Sequence, residues 1–448
     1  VGLSKGTGRI TVQNQKGVST DIYVTVTDTV KKLSTPTLSF GTIEETELKA
    51  ILKAKGVLSV YAGKTFQLTV ETDPWYYPMN EEGMYVEWTS SAPEYATVDE
   101  NGNVTTLKEG LVVIRGNLMR SNGSRVAISS VTLNIQEEFL VSNFTLTDYN
   151  GVGWNEIIKD ENGNDIKALV LPTDMNIMYI GEEAFKNNTN VEYIVIPETV
   201  VQIQIDAFEN CTSLKKVYFI STQAEEIATS KLTLIHDQAF RACTSLERVD
   251  LSNVKKITVA RQTFMGCTSL KEVVKMTAIG TMHSEAFRGC TSLKEADITG
   301  MHMSGSNVFY GCTGLETIKT AKFSEIGEGM FTGCTSLVNV TINTPNVGAN
   351  AFRNCSNLAS VTFASPAGEA LKFDIGAGAF SGCRKLASVN FGDEIVQSIG
   401  ENAFANTAIS SFTIPAGIEN LGASVLNGSK VTQIVIGDSF DIDGVELS

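Results

Sequence analysis

Ala207-Phe208-Glu209-Asn210-Cys211-Thr212-Ser213-Leu214-Lys215-Lys216-Val217-Tyr218-Phe219 is the stretch whose reading decides the fold. Its pattern, AFxxCTSLxxVxF, returns around Phe240/Cys243/Leu246, Phe264/Cys267/Leu270, Phe287/Cys290/Leu293 and Phe309/Cys312/Leu315. It continues at Phe331/Cys334/Leu337, Phe352/Cys355/Leu358 and Phe380/Cys383/Leu386. Degenerate copies stand at the ends: Asn188 follows Phe185 in the cysteine slot, Thr407 follows Phe404, and Leu426 replaces the aromatic. From 185 to 426 there are ten steps in 241 residues, a period of about 24, which is the range of leucine-rich repeats. The spacing predicts a solenoid, and a solenoid works through its surface.

Within one copy, Val217 and Phe219 share a strand face and point inward, while Lys216 and Tyr218 point out. Ile203 and Phe208 come from the returning side of the coil and meet that face from behind. One coil cannot enclose its own apolar residues, so stacking closes the core. Thr212 and Ser213 are suited to hydrogen-bonding the backbone of the turn. Two steps are long, Phe208 to Phe240 (32 residues) and Phe352 to Phe380 (28), and their extra length falls at 221–232 and 364–372. These insertions are expected to be loops outside the stack and accessory recognition elements. Lys275, Ser304 and Thr320 stand where the stack expects apolar residues, which predicts local irregularity over 275–320.

The bulk numbers exclude several classes. The chain has 448 residues, 42% apolar and 19% charged, with a formal charge of −15. Nucleic acid and anionic membrane surfaces are disfavoured, because neither is bound without clustered Lys and Arg. No apolar run approaches the roughly 18 residues that a bilayer span requires. No leader opens the chain, so any export signal is expected to have been removed. All eight cysteines occupy the one slot three residues after the repeat aromatic, where stacking demands a small apolar group. Side chains in a parallel column point the same way and do not face each other with a disulfide dihedral, so a reduced column is expected rather than four bridges. Without C-x-x-C pairs, a metal site is not expected.

Ahead of the repeats, Arg9–Gln13 and Asp21–Val26 alternate with period two about Gln15-Lys16-Gly17, a hairpin. Residues 1–30 are read as a remnant of a preceding immunoglobulin-like domain, or else as the edge of the next one. Beyond a joining segment at 31–56, Phe66/Leu68/Val70, Val86/Trp88 and Ala96/Val98 alternate, with Asp99-Glu100-Asn101-Gly102-Asn103 as a tight turn. The string from Gly63 to Gly110, with its Trp-Thr-Ser-Ser segment and ATVDENGNVT hairpin, resembles the group 2 bacterial immunoglobulin-like domain. That resemblance implies a spacer on an exported protein. The expected domains are 31–137 for this sandwich and 138–448 for the solenoid, with 138–172 as its capping coil.

The spelling AFxxCTSLxxVxF, with I-G-x-x-A-F before it at Ile180–Phe185 and Ile399–Phe404, resembles the BspA-like leucine-rich-repeat family. The resemblance implies a mainly β fold: an N-terminal sandwich, then a solenoid with a parallel sheet on its concave face and short 3-10 or helical turns and loops opposite. It also implies a secreted or surface-attached protein of host-associated bacteria such as Bacteroides, with a function in adhesion. The partner would be a host matrix or mucosal protein, or another bacterial surface protein; a glycan ligand and a purely structural spacer are the alternatives.

No catalytic constellation accompanies these repeats: G-x-S-x-G, H-E-x-x-H and P-loop patterns are all missing from the sequence. No enzymatic activity and no cofactor are therefore expected. The three histidines, His236, His283 and His302, read as polar surface positions. Asp160, Asn162, Asn164 and Asp165 loosely resemble a calcium loop, as do Asp438, Asp441 and Asp443, but both read better as turns. The candidate site is the outward strand face. Its first five coils present Tyr193 and Val195, Lys216 and Tyr218, Arg248 and Asp250, Glu272 and Val274, Glu295 and Asp297. Later coils present small neutral residues such as Asn339, Thr341, Ser360 and Thr362. Clustered Tyr and Arg favour a protein hot spot, so Tyr193, Lys216, Tyr218, Arg248, Asp250, Glu272, Glu295 and Asp297 are the expected ligand-binding residues.

Overall fold

A computed structural model of the chain describes residues 6–13, 19–27, 57–71, 85–151, 153, 155–160, 162–220, 230–320, 326–366, 370–415 and 417–436. It divides into two compact units, Val1–Leu140 with Tyr149–Leu169 and Val141–Asp148 with Val170–Ser448. The stretch 138–172 contributes to both.

The first unit is a sandwich of two sheets. One sheet has the order Gly6–Gln13, Ser19–Thr27, Thr65–Glu71, Asn103–Thr106, Ala96–Val98, antiparallel throughout. The N-terminal hairpin therefore lies along this domain's own sheet, with Tyr23 opposite Glu71 and Thr27 opposite Gln67. The other sheet runs Val57–Tyr61, Arg125–Gln136, Gly110–Met119, Tyr85–Ser90. Phe66, Leu68, Ala96 and Val104 from the first sheet meet Val60, Val112, Ile114 and Leu133 from the second in one buried core. The Asn-Gly turn closes against it. Gly102 has φ +78°, and an added Cβ would lie 2.3 Å from the Leu68 carbonyl and 3.0 Å from the Trp88 ring. Buried Thr106 ties strand ends together, its Oγ1 standing 2.6 Å from the Tyr61 carbonyl and accepting the Lys64 N–H at 2.9 Å.

The second unit is a β-solenoid of about eleven turns. Three ladders join its coils. The first is formed by the V-x-F strands: Tyr193–Pro197, Lys216–Ile220, Arg248–Asp250 and Glu272–Val274 pair in parallel. The second is formed by two- to five-residue strands on the returning side. It aligns Leu146, Ile180, Ile203, Ile235, Val259, Met282 and Met303 in one buried column. The third runs through the turns, where each repeat phenylalanine N–H donates to the residue before the next phenylalanine. Phe208 N to Ala239 O is 2.7 Å, and Phe352 N to Ala379 O is 2.7 Å. The returning side thus consists of short strands and tight turns, and one 3-10 helix, Met276–Ala278, occurs among the described residues.

The turn has a fixed backbone signature. Residues two before and two after the aromatic adopt left-handed φ: Asp206 (55°) and Asn210 (59°) around Phe208, Gln262 (57°) and Gly266 (77°) around Phe264. A non-glycine residue there costs about 1–2 kcal/mol. The turn ladder holds the chain in this shape regardless.

Ten phenylalanine rings, from Phe185 to Phe404, form one continuous stack with centroids 4.7–5.5 Å apart and planes within 18° of parallel. Beside it runs the thiol column. All eight cysteines are free and buried. Each Sγ donates to the carbonyl of the previous coil's phenylalanine, from Cys211 to Phe185 O at 2.9 Å through Cys383 to Phe352 O at 3.1 Å. Burial pushes the thiols of Cys243, Cys267 and Cys290 above their ordinary range and that of Cys312 up to about 12. The slot thus selects a small buried group that can also bond the neighbouring coil, as cysteine does.

Within 275–320, Lys275 is left-handed (φ 55°), the 3-10 helix follows it, and Gly280 is an extra residue where the return ladder passes from Ile257–Ile279 to Thr258–Thr281. A second register shift, between Phe373 and Asp374, lies outside the expected range. Ser304 is exposed and does not occupy the stack. An extra residue precedes Phe309, and Met303 takes the apolar column in its place.

Candidate functional site

The strand ladder fixes where the expected binding residues stand. Tyr193, Lys216, Arg248 and Glu272 are successive partners in one outward column, and Tyr218 and Asp250 are partners in the next. These six share a sheet. Glu295 and Asp297 lie on a separate two-stranded sheet, opposite Thr317 and Lys319. Val195, expected on the outward face, is fully buried, as are Ile194, Ile196 and Pro197 of the same strand.

The charged members are engaged with one another. Arg248 bonds Glu272 on the next coil through Nη1 and lies 3.4 Å from Asp250 through Nη2. Asp250 also accepts the Ser252 N–H at 2.9 Å. Lys319 Nζ lies 2.5 Å from Glu295, and that bond raises the lysine's pKa. Lys215 bonds Glu192 at 2.7 Å, which raises its pKa, and sits 5.8 Å above the Tyr193 ring. The Arg248 guanidinium is therefore held between two carboxylates, and the Tyr193 ring lies under Lys215; groups ordered beforehand bind at low ordering cost. Tyr310 belongs to a turn, with Arg288 4.9 Å over its ring, away from the columns that carry Tyr193 and Tyr218.

Other sequence candidates resolve as structure. Asp160 accepts the N–H groups of Asn162 and Asn164 at 2.9 and 2.8 Å, and Asp99 accepts those of Asn101 and Asn103 at 2.8 Å each. Slight burial works against the shift, yet these bonds together with the Asn103 amide hold the Asp99 carboxyl below its usual pKa. Both DENGN turns thus use their aspartates to order backbone. Asp438, Asp441 and Asp443 lie outside the described residues, as does 221–229 of the first insertion. Among the described residues no group of three or more His, Cys, Asp or Glu is placed to hold a metal ion. In the second insertion, Glu394 accepts from the Ser365 N–H at 2.7 Å and from its hydroxyl at 2.5 Å. The Leu371 N–H in turn donates to Ser365 Oγ at 2.8 Å, so that loop's base is pinned to the next coil.

Two features were not anticipated from the residues: the paired left-handed positions and the cross-coil ion pairs. The first has a signal. The residue two after each aromatic is Asn, Gly or Ala in every coil, from Asn187 and Asn210 through Gly382, Asn406 and Gly428. The second needs the register.

Stacked parallel coils of this period, an aromatic spine and a polar outward sheet define a leucine-rich-repeat solenoid. The profile of the BspA type leucine rich repeat region matches residues 161–259, 219–338, 258–371 and 369–444, and the chain belongs to that family. The bacterial Ig-like domain (group 2) profile matches 51–123. No curated protein matches the chain. Among solved structures it is similar to pneumococcal vaccine antigen PcpA, at 18% identity over 69% of both chains with a TM-score of 0.38. It is also similar to a leucine rich cell surface protein of Faecalibacterium prausnitzii A2-165, at 21% identity over 67% of this chain and 93% of that one, TM-score 0.33. A leucine-rich repeat protein of Bacteroides ovatus ATCC 8483 shows 20% identity over 65% and 89%, TM-score 0.36.

Proposed function

We propose that this chain is a non-enzymatic adhesion protein of the bacterial cell surface. Its ligand is a host matrix or mucosal protein, or another bacterial surface protein. The observation that carries the reading is the in-register array of Tyr193, Lys216, Arg248 and Glu272 beside Tyr218 and Asp250 on one sheet. Tyr and Arg held rigidly on a flat face are what protein hot spots use. The Ig-like unit serves as a spacer. Membership of a repeat family whose members are generally surface proteins supports the location.

The test is capture on immobilised matrix proteins and mucins. The combined variant Tyr193→Ala, Tyr218→Ala, Arg248→Ala and Asp250→Ala is expected to lose capture while its melting temperature stays within a few degrees, since exposed and half-exposed ion pairs contribute about 0–1 kcal/mol. Undiminished capture by this variant would remove the site.

A further inference from the structure

Along the strand face, charges on neighbouring coils pair with opposite sign. Lys215 meets Glu192, Arg248 meets Glu272, Lys271 meets Glu247, Lys294 meets Glu316 and Lys319 meets Glu295. One edge departs from this rule. Lys231, Lys255, Lys256 and Lys275 lie where the chain leaves the strand face for the return ladder, and all four are exposed.

Geometry brings them together. Ser230 and Val254 form a parallel bridge, so Lys231 and Lys255, the next residue on each coil, stand side by side. Parallel neighbours are roughly 4.8 Å apart. Lys275 reaches back from the following coil to the same place, its Nζ donating to Ser252 O at 3.1 Å and Val254 O at 2.9 Å. Lys256 extends the other way. Its stem lies across Gly280, where an added Cβ would fall 2.2 Å from Lys256 Cε. Among the described residues none of the four forms an ion pair. Glu198 meets Lys231 through its backbone carbonyl, and Asp250 is held by Arg248 and the Ser252 N–H.

Like charges side by side on adjacent strands destabilise a sheet. The chain carries a net charge of −15, yet among the described residues no carboxylate pairs with this edge. The cost is removed when closely spaced anions bind. We propose that this edge binds a linear polysaccharide bearing sulfate or carboxylate groups. A polyanion needs only charges at short intervals. A protein partner would need an apolar or aromatic anchor, and at this edge the apolar residues Leu232 and Val254 are buried while the exposed ones are Lys231, Ser252, Lys255, Lys256 and Lys275. The edge is separate from the strand face assigned above, so either reading can fail without the other.

The experiment measures binding of the full chain to heparin, polygalacturonate, polyglutamate and dextran at low and at physiological salt. The wild type is expected to bind heparin or polygalacturonate, more weakly as salt rises, and to ignore dextran. The variant Lys231→Gln, Lys255→Gln, Lys256→Gln is expected to lose about tenfold or more in affinity and to melt no lower than wild type. Lys275 is left in place because it bonds backbone carbonyls. A control of equal charge change, Lys215→Gln, Lys271→Gln, Lys294→Gln, is expected to stay within twofold. The proposal is overturned by no wild-type binding, by an equal loss in the control, or by a triple variant that binds as wild type. Polyglutamate bound as tightly as the sugars would overturn it in favour of an acidic peptide.

Discussion

Phe287→Ala is expected to lower the unfolding free energy by about 3–5 kcal/mol and to broaden the urea transition. Phe287 is fully buried, with ring centroids 5.1 Å from Phe264 and 5.5 Å from Phe309. Truncation removes the transfer energy of a ring and leaves a cavity that the coils cannot collapse into, because three ladders of backbone hydrogen bonds fix their spacing. Each coil contacts only its neighbours, so a gap in mid-stack also uncouples the coils on either side. The broadening reports that uncoupling. Phe287→Leu should recover most of the loss, since Leu426 already fills this slot in the last described coil. A loss below about 1 kcal/mol for the alanine variant would mean that the ring is not part of a continuous column.

Gly376→Ala is expected to cost at least the 1–3 kcal/mol typical of overpacking, although only one methyl is added. The added Cβ would lie 2.5 Å from Ala349 N and 2.6 Å from Gly348 C, both backbone atoms of the preceding coil. Gly376 N donates to Val347 O at 2.7 Å, so the coil cannot retreat without breaking its ladder. The same contact recurs at Gly348, Gly400 and Gly422, at 2.5, 2.4 and 2.3 Å to backbone. The first coil has it too, with Gly181 2.6 Å from the Leu146 carbonyl oxygen, as does Gly305, 2.2 Å from Ser284 N. Only the four coils between them carry other residues here, Gln204, His236, Ala260 and His283. Gly392→Ala separates sterics from conformation. Gly392 has φ +54° and nothing within 4 Å, so it should lose only about 1 kcal/mol. Thermal melts of the two variants decide the matter, and a Gly376→Ala protein melting with the wild type would refute the close packing.

The repeat spelling carried the architecture. AFxxCTSLxxVxF specifies which residues face inward, and Phe208, Cys211, Leu214, Val217 and Phe219 are all buried. The outward face was legible where alternation alone decides it, as at Lys216 and Tyr218. It failed at Val195, because a strand's own pattern names its two faces and not what covers each. Spacing misplaced Ser304, since one inserted residue hands the apolar column to Met303. The hairpin at 6–27 was recognisable as a hairpin, but only pairing shows which sheet it joins. Sign matching between coils was invisible for a similar reason: Arg248 and Glu272 are 24 residues apart and become neighbours only through the register.

The central claim, coils piled with an aromatic spine and a thiol column beside it, can be tested most directly by locating the sulfurs through their anomalous scattering in a crystal. The prediction is a single row of eight cysteine sulfurs in chain order from Cys211 to Cys383, successive atoms separated by roughly the parallel-strand spacing of 4.8 Å. Sulfurs paired at about 2 Å, or scattered without order along any axis, would contradict it.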